Sequence, residues 1–499
     1  MHFATIDIRQ DHSMHTKVMV EVLKKNGFIN DELSELSDEE LLDILLHKNL
    51  NLVADDYEED IVKDTIKNIL QLQTIQAKNG EEGCNRYIIS NSEDKYSILF
   101  VYALFRWCGW ADKEITFDIV PLFETMNGMD TAQDTMKFLF SLPEYMAHLE
   151  NRNKKQTIML GFSDGTKDGG YLKANWSILK TKEELSEVCD QNDIAAVFFD
   201  GRGGPPARGG GKTHRFYAAQ TNKVANNEIQ LTIQGQTITS TYGTKEQFIY
   251  NSEQLLTAGL SNTILGKEIV ISDADRELIE ELSELSFKKY DDLKHHDKFM
   301  PYLENMSTLK YYTKANIGSR PGKRGNKAKL ELSDLRAISF VGSWSQLKQN
   351  VPGYYGIGTA LEKLEKDGRF EEAKRLYQEV PFFQALMMNS MMSLTKCYFE
   401  LTSYMKENKE YGAFWEILHA EYELSKAMLL KLSGMEILMK KEAISRESIK
   451  IRESIVLPLL VIQQYALQRI GEGTEYKELY EKIVTRSLYG NINASRNSA

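Results

Sequence analysis

AAVFFDGRGGPPARGGGKTH, residues 195–214, is the stretch on which the fold reading turns. Ala195–Phe199 is a short apolar run of strand length, and it stops at Asp200. The chain then enters a loop in which six glycines surround Arg202 and Arg208. The same grammar, an apolar run closed by a polar residue and a turn, recurs along the first two thirds of the chain. Phe3–Ile8 (FATIDI) leads to Arg9, Ile115–Phe123 (ITFDIVPLF) to Glu124, and Thr157–Phe162 (TIMLGF) to Asp164. Tyr87–Ser90 (YIIS) and Ile229–Ile238 (IQLTIQGQTI) are further β-like runs. Helical stretches separate them, so the pattern predicts parallel βα units with reactive residues gathered at the carboxyl ends of the strands.

From Ala360 to Ser487 the texture changes to Leu, Lys, Glu, Met and Tyr at helical spacing. Leu361–Val380 and Glu421–Met435 read as amphipathic helices, and Asp31–Lys78 as helices with Ser and Asp at their N-caps. This predicts a strand-bearing zone over 1–345 and a helical zone over 346–499. Residues 316–328 and the stretch after Tyr489 carry the least pattern.

The 499 residues hold 61 Lys and Arg against 72 Asp and Glu, a net charge of −11. That balance argues against a general nucleic-acid binder, including an RGG-type RNA-binding segment, whose surface would be basic. A 42% hydrophobic share excludes a disordered chain. No run reaches the ~18 apolar residues of a membrane span; the longest, Ser454–Leu467, is interrupted by Pro458 and two glutamines. The opening residues lack the basic and apolar regions of a signal peptide. The four cysteines are far apart with no CxxC pair, which fits reduced thiols in a cytoplasm.

The glycine-rich loop has the composition of an anion site: backbone N–H groups can approach closely, and two arginines add permanent planar charge. Its Gly211–Thr213 (GKT) is not a Walker loop, because Pro206 stands where the first glycine is needed. Met159–Gly170 (MLGFSDGTKDGG) presents Ser163, Asp164, Lys167 and Asp168 on a Gly-bounded turn, suited to a divalent metal and an anionic substrate or, more plainly, to a surface salt bridge. Glu124 in VPLFETM is a second candidate oxygen ligand for Mg2+ or Mn2+, or else a carboxylate paired with an arginine. DIRQ (7–10), NIGSRPGKR (316–324) and LRAISF (335–340) add Arg9, Arg320, Lys323, Arg324 and Arg336. Several such cations beside an acidic pair suggest a phosphorylated substrate. His15 and His214 have no visible partner and read as structural.

These motifs resemble the signatures of the phosphoenolpyruvate carboxylase family. The resemblance rests on GFSDGTKDGG (161–170), GRGGPPARGGG (201–211), GSRPGKR (318–324) and LRAI (335–338). DIRQ, PLFET and the closing RNSA follow in family order, and the likeness runs along essentially the whole chain. It implies many helices around a (β/α)8 TIM-like barrel and a reaction of phosphoenolpyruvate with bicarbonate to give oxaloacetate and phosphate, supplying the tricarboxylic acid cycle. That route passes through carboxyphosphate and a metal-stabilised enolate. Carried over by position, Glu124 and Asp164 hold Mg2+ or Mn2+, and Arg9, Arg202 and Arg336 bind the phosphoryl group. Lys167 and Arg208 position bicarbonate, with Arg320 assisting. Lys396, Arg452, Asn497 and Arg208 match a site for aspartate as inhibitor. A homotetramer is the family expectation.

Two departures accompany the match. The family's TAHPT motif, with its catalytic histidine, and its GGDRDGNP motif are absent. The chain therefore looks like the C-terminal portion of such an enzyme, with the barrel's first strand or strands missing and turnover in isolation not expected. The alternative is a binding domain for metal, substrate or aspartate. Asp200 stands where better-known members carry a histidine associated with bicarbonate handling, and a carboxylate there repels bicarbonate unless nearby arginines compensate.

Overall fold

The computed structural model describes residues 5–225, 228–232, 235–264, 268–312 and 331–495. The chain forms two compact units that interleave along the sequence. The first comprises Met1–Gly161, Lys180–Asp200 and Lys223–Gln230; the second comprises Phe162–Leu179, Gly201–Asn222 and Leu231–Ala499.

The first unit is built on a sheet whose strands run in chain order: β1 (Asp7–Asp11), β2 (Arg86–Ser90), β3 (Asp118–Phe123), β4 (Lys155–Leu160), β5 (Ala195–Asp200) and β6 (Ile229–Leu231). β1 to β5 pair in parallel. Most residues of β2 to β5 are buried, as expected of parallel strands covered on both faces. Register places Arg9 beside Ile88 and Ile88 beside Val120, and farther along Leu122 beside Met159 and Met159 beside Phe199. Ile88, Val120, Leu122, Met159 and Phe199 form one apolar cluster, so Arg9 lies at the end of an apolar row. The helix Ser97–Trp107 is buried along nearly its whole length, which its all-round apolar sequence SILFVYALFRW requires. Among the described residues the strands form an open order, not a closed barrel.

The second unit is helical. Its main core gathers Tyr290, Phe299, Tyr302, Trp344, Phe414 and Trp415. The segment 361–380 is split between the helices Ile357–Lys366 and Phe370–Glu379, with Gly368 at φ +74° between them. Gly434, at φ +64°, ends the helix Gly412–Ser433.

Expected and observed elements differ at three places. The run Ile229–Ile238 stays extended only to Leu231, and Gly235–Tyr242 is helical, tertiary context overriding β-branched propensity. Asp164 belongs not to a strand end but to the first turn of the helix Phe162–Gly169. In the helical zone, Ala443–Gly471 is one helix of 29 residues that runs on through Pro458, where the proline omits a single N–H. The stretch after Tyr489 is helical to Ser495. No described helix is long and apolar enough to cross a membrane.

Candidate active site

In the first unit, three of the candidate side chains are described. Arg9 Nη2 lies 3.2 Å from Met159 Sδ, across the sheet face. Glu124 follows β3 and is 3% exposed, and its Oε1 accepts the Asn91 N–H at 3.2 Å. Asn91, at φ +55°, also donates its side-chain amide to Asp11 Oδ2 at 2.6 Å. Asp11, Asn91 and Glu124 thus form a chain along the carboxyl edge of β1 to β3. No motif marks Asp11, and the turn after YIIS is the signal for Asn91. Gly161 is required here, because a Cβ on it would sit 2.3 Å from Glu124 Cβ.

Asp200, expected among the substrate-binding groups, is placed differently. It ends β5 on the face opposite Phe199 and has no exposed surface. Lys182, from the helix Tyr171–Gln191, reaches both its oxygens at 2.8 and 2.9 Å. Nothing in the sequence marked Lys182 as its partner. The compensating cation is a buried lysine rather than an arginine of the glycine-rich loop. His15 is buried and shares a 2.9 Å hydrogen bond with Tyr87, in keeping with a structural role.

The second unit brings five candidates onto adjoining segments. In the helix Phe162–Gly169, Lys167 Nζ donates to the Leu335 carbonyl at 2.9 Å and lies 3.5 Å from Asp164 Oδ1. Leu335 adjoins Arg336, the half-buried residue that precedes the helix Ala337–Gln346. Arg208 Nε donates to Ser163 Oγ at 3.2 Å. Burial lowers the Arg208 pKa to about 10 against the upward pull of the Asp164 carboxylate, so it remains cationic at neutral pH. Arg202 is 6% exposed, donates through Nε to the Gly209 carbonyl at 2.6 Å and lies 4.2 Å from the Phe216 ring centre.

The glycines of this loop are sterically obligatory. A Cβ at Gly210 would meet the Gly204 carbonyl oxygen at 1.9 Å, and one at Gly209, already at φ +76°, would strike Phe162 at 2.6 Å. The loop residues Pro205, Pro206 and Ala207 line a pocket that also contains Lys396 and Arg452. Lys348 and Glu453 line it too, paired at 2.6 Å, and neither was anticipated. Arg320, Lys323, Arg324 and Asn497 lie outside the described residues.

Among the described residues no group of three or more His, Cys, Asp and Glu side chains could hold a metal by itself. Glu124, in the first unit, and Asp164, in the second, are each a hard oxygen donor of the kind Mg2+ takes.

The glycine-rich loop, the Asp164–Lys167 turn and the Leu335–Arg336 approach correspond to one sequence family along almost the whole chain: the model of phosphoenolpyruvate carboxylase matches residues 1–495. The chain belongs to the phosphoenolpyruvate carboxylase family. It is 29% identical over 97% of its length to a phosphoenolpyruvate carboxylase of Prochlorococcus marinus strain MIT 9301. It is 30% identical, again over 97%, to that of P. marinus subsp. pastoris strain CCMP1986 / NIES-2087 / MED4. In both cases the alignment covers 51% of the relative, so the chain spans about half the length of the curated relatives it matches.

Proposed function

We propose that this chain carries the anion-binding, metal-binding and regulatory residues of a phosphoenolpyruvate carboxylase. The observation that supports this best is the grouping in the second unit of Asp164, Lys167 and Arg208, bonded through Ser163 and Leu335 to three separate family motifs. In the reaction, a bicarbonate oxygen attacks phosphorus and the bond from phosphorus to the enol oxygen breaks. Carboxyphosphate and the enolate result; carboxyphosphate releases CO2 and phosphate, and the enolate carbon takes up CO2. Arg9, Arg202 and Arg336 neutralise the phosphoryl oxygens, where fixed guanidinium charge acts most strongly in a desolvated site. Lys167 and Arg208 orient bicarbonate and then carboxyphosphate, and Arg320 assists. By the family resemblance Glu124 and Asp164 would be the residues to hold Mg2+ or Mn2+, which would supply Lewis-acid stabilisation of negative charge on oxygen.

Lys396 and Arg452, with Asn497 and Arg208, form the inhibitor site of the same reading, for aspartate. It is supported by the pocket's position, lined by the three residues that immediately precede Arg208. A ligand that draws Arg208 away from Ser163 would take it from the substrate. Assembly as a homotetramer in the cytoplasm completes the proposal.

The test is release of phosphate and oxaloacetate from phosphoenolpyruvate, bicarbonate and Mg2+, with this chain alone and with the N-terminal half of a curated relative added in trans. Turnover is expected on complementation and is expected to vanish with R208Q or D164N. Binding of phosphoenolpyruvate without turnover in either arrangement would instead make the chain a binding domain. Absence of both would overturn the proposal.

A further inference from the structure

The pocket beside Pro205–Ala207 contains cations and, less expectedly, acceptors. Lys348, Lys396, Arg452 and Glu453 all line it, three positive groups against one negative. Among the described residues the Lys396 ammonium makes no hydrogen bond and no ion pair. Burial, with Lys348 and Arg452 nearby, holds its pKa down to about 8 despite Glu453. An anionic group on a ligand would relieve this excess of positive charge.

The acceptors call for something else. Glu453 Oε1 takes the Lys348 ammonium at 2.6 Å, while Glu453 Oε2 is buried and accepts no hydrogen bond. Asn491, also in the lining, donates its amide to Gln346 Oε1 at 3.0 Å, which leaves its own buried Oδ1 without a donor. A buried acceptor left unmade is costly, and the cost is removed only by a group that donates. An ammonium brings three N–H donors and a charge opposite to that of Glu453. A ligand made of carboxylates alone would leave both acceptors unmade and add negative charge next to Glu453.

We propose that this pocket selects an α-amino dicarboxylate over a plain dicarboxylate, with Lys396 and Arg452 taking the carboxylates and Glu453 and Asn491 taking the ammonium. The proposal rests on the inhibitor-site reading above and adds to it the two residues that recognise nitrogen.

Calorimetric titration of the purified chain with L-aspartate and with succinate tests it. Aspartate is expected to bind at least about tenfold tighter than succinate, the scale of a hydrogen bond to a charged group. E453Q keeps an oxygen for Lys348 and nearly the same shape. It is expected to weaken aspartate about ten- to a hundredfold and to leave succinate unchanged or tighter, with an unaltered near-UV CD spectrum. N491A is expected to weaken aspartate alone, by less. Equal affinities of the wild type for the two diacids, or equal weakening of both by E453Q, would overturn the selection while leaving the inhibitor site standing. If neither diacid binds, or if K396M leaves both bound as before, the inhibitor-site reading fails and this proposal with it.

Discussion

Asp200 and Lys182 show how one side chain's meaning depends on what faces it. Burying a carboxylate without a partner is costly, and the Lys182 ammonium 2.8 Å away supplies that partner. Breaking the pair by K182M should cost about 3–5 kcal/mol in urea unfolding, because the aspartate stays buried and uncompensated. The double variant K182M/D200L should recover most of that loss; a double variant as unstable as K182M would show that the pairing is not what the site requires. Lys396 makes a second prediction, in pH. Its pKa of about 8 means that it is protonated below pH 8, and an anion favours the protonated form. Aspartate affinity should therefore be flat below pH 8 and fall as pH rises above it, approaching tenfold per unit. K396R, which stays charged, should flatten the profile. Legibility at this scale was uneven. Glu124, Asp164 and the loop arginines stood out because glycines and strand ends flanked them. Lys182, Asn91, Lys348 and Glu453 did not, because each acts through a partner distant in sequence.

At the scale of elements, glycines decide the loop and the helix ends for different reasons. Gly434 takes a left-handed turn in open space, so G434A should cost only about 1 kcal/mol, from backbone conformation alone. At Gly210 the added Cβ would collide with the Gly204 carbonyl, and backbone cannot yield as a flexible side chain would. G210A should be the more destabilising of the two in thermal unfolding, and it alone should weaken aspartate binding at the pocket lined by Pro205–Ala207. Equal effects would mean that the loop is not held as the structure shows. Strands and amphipathic helices were readable because burial on one or both faces leaves a period in the sequence. The helix Gly235–Tyr242 was not, because packing there prevailed over β-branched propensity.

Across the whole molecule, acid sensitivity should arise in the first unit. Burial holds the pKa of both His15 and His148 down to about 3, far below the value of about 6.5 in an unfolded chain. Their stabilising contribution is complete above pH 6.5 and declines as pH falls from 6.5 towards 3, since only the unfolded chain binds the extra protons. Each histidine should add a slope of up to about 1.4 kcal/mol per pH unit within that window. H15Q should reduce the slope measured by denaturant titration between pH 4 and 6; an unchanged slope would place the acid sensitivity elsewhere. The sequence by itself determined the family, the parallel βα grammar, the anion-binding loop and most of the candidate charges, because those depend on residue type and local spacing. Tertiary structure alone decided the interleaving of the two units and the open strand order. It also decided the burial of Asp200 against Lys182 and the meeting of Lys348, Lys396, Arg452 and Glu453 in one pocket. These depend on which side chains approach across long stretches of chain, and that proximity leaves no period or motif to read.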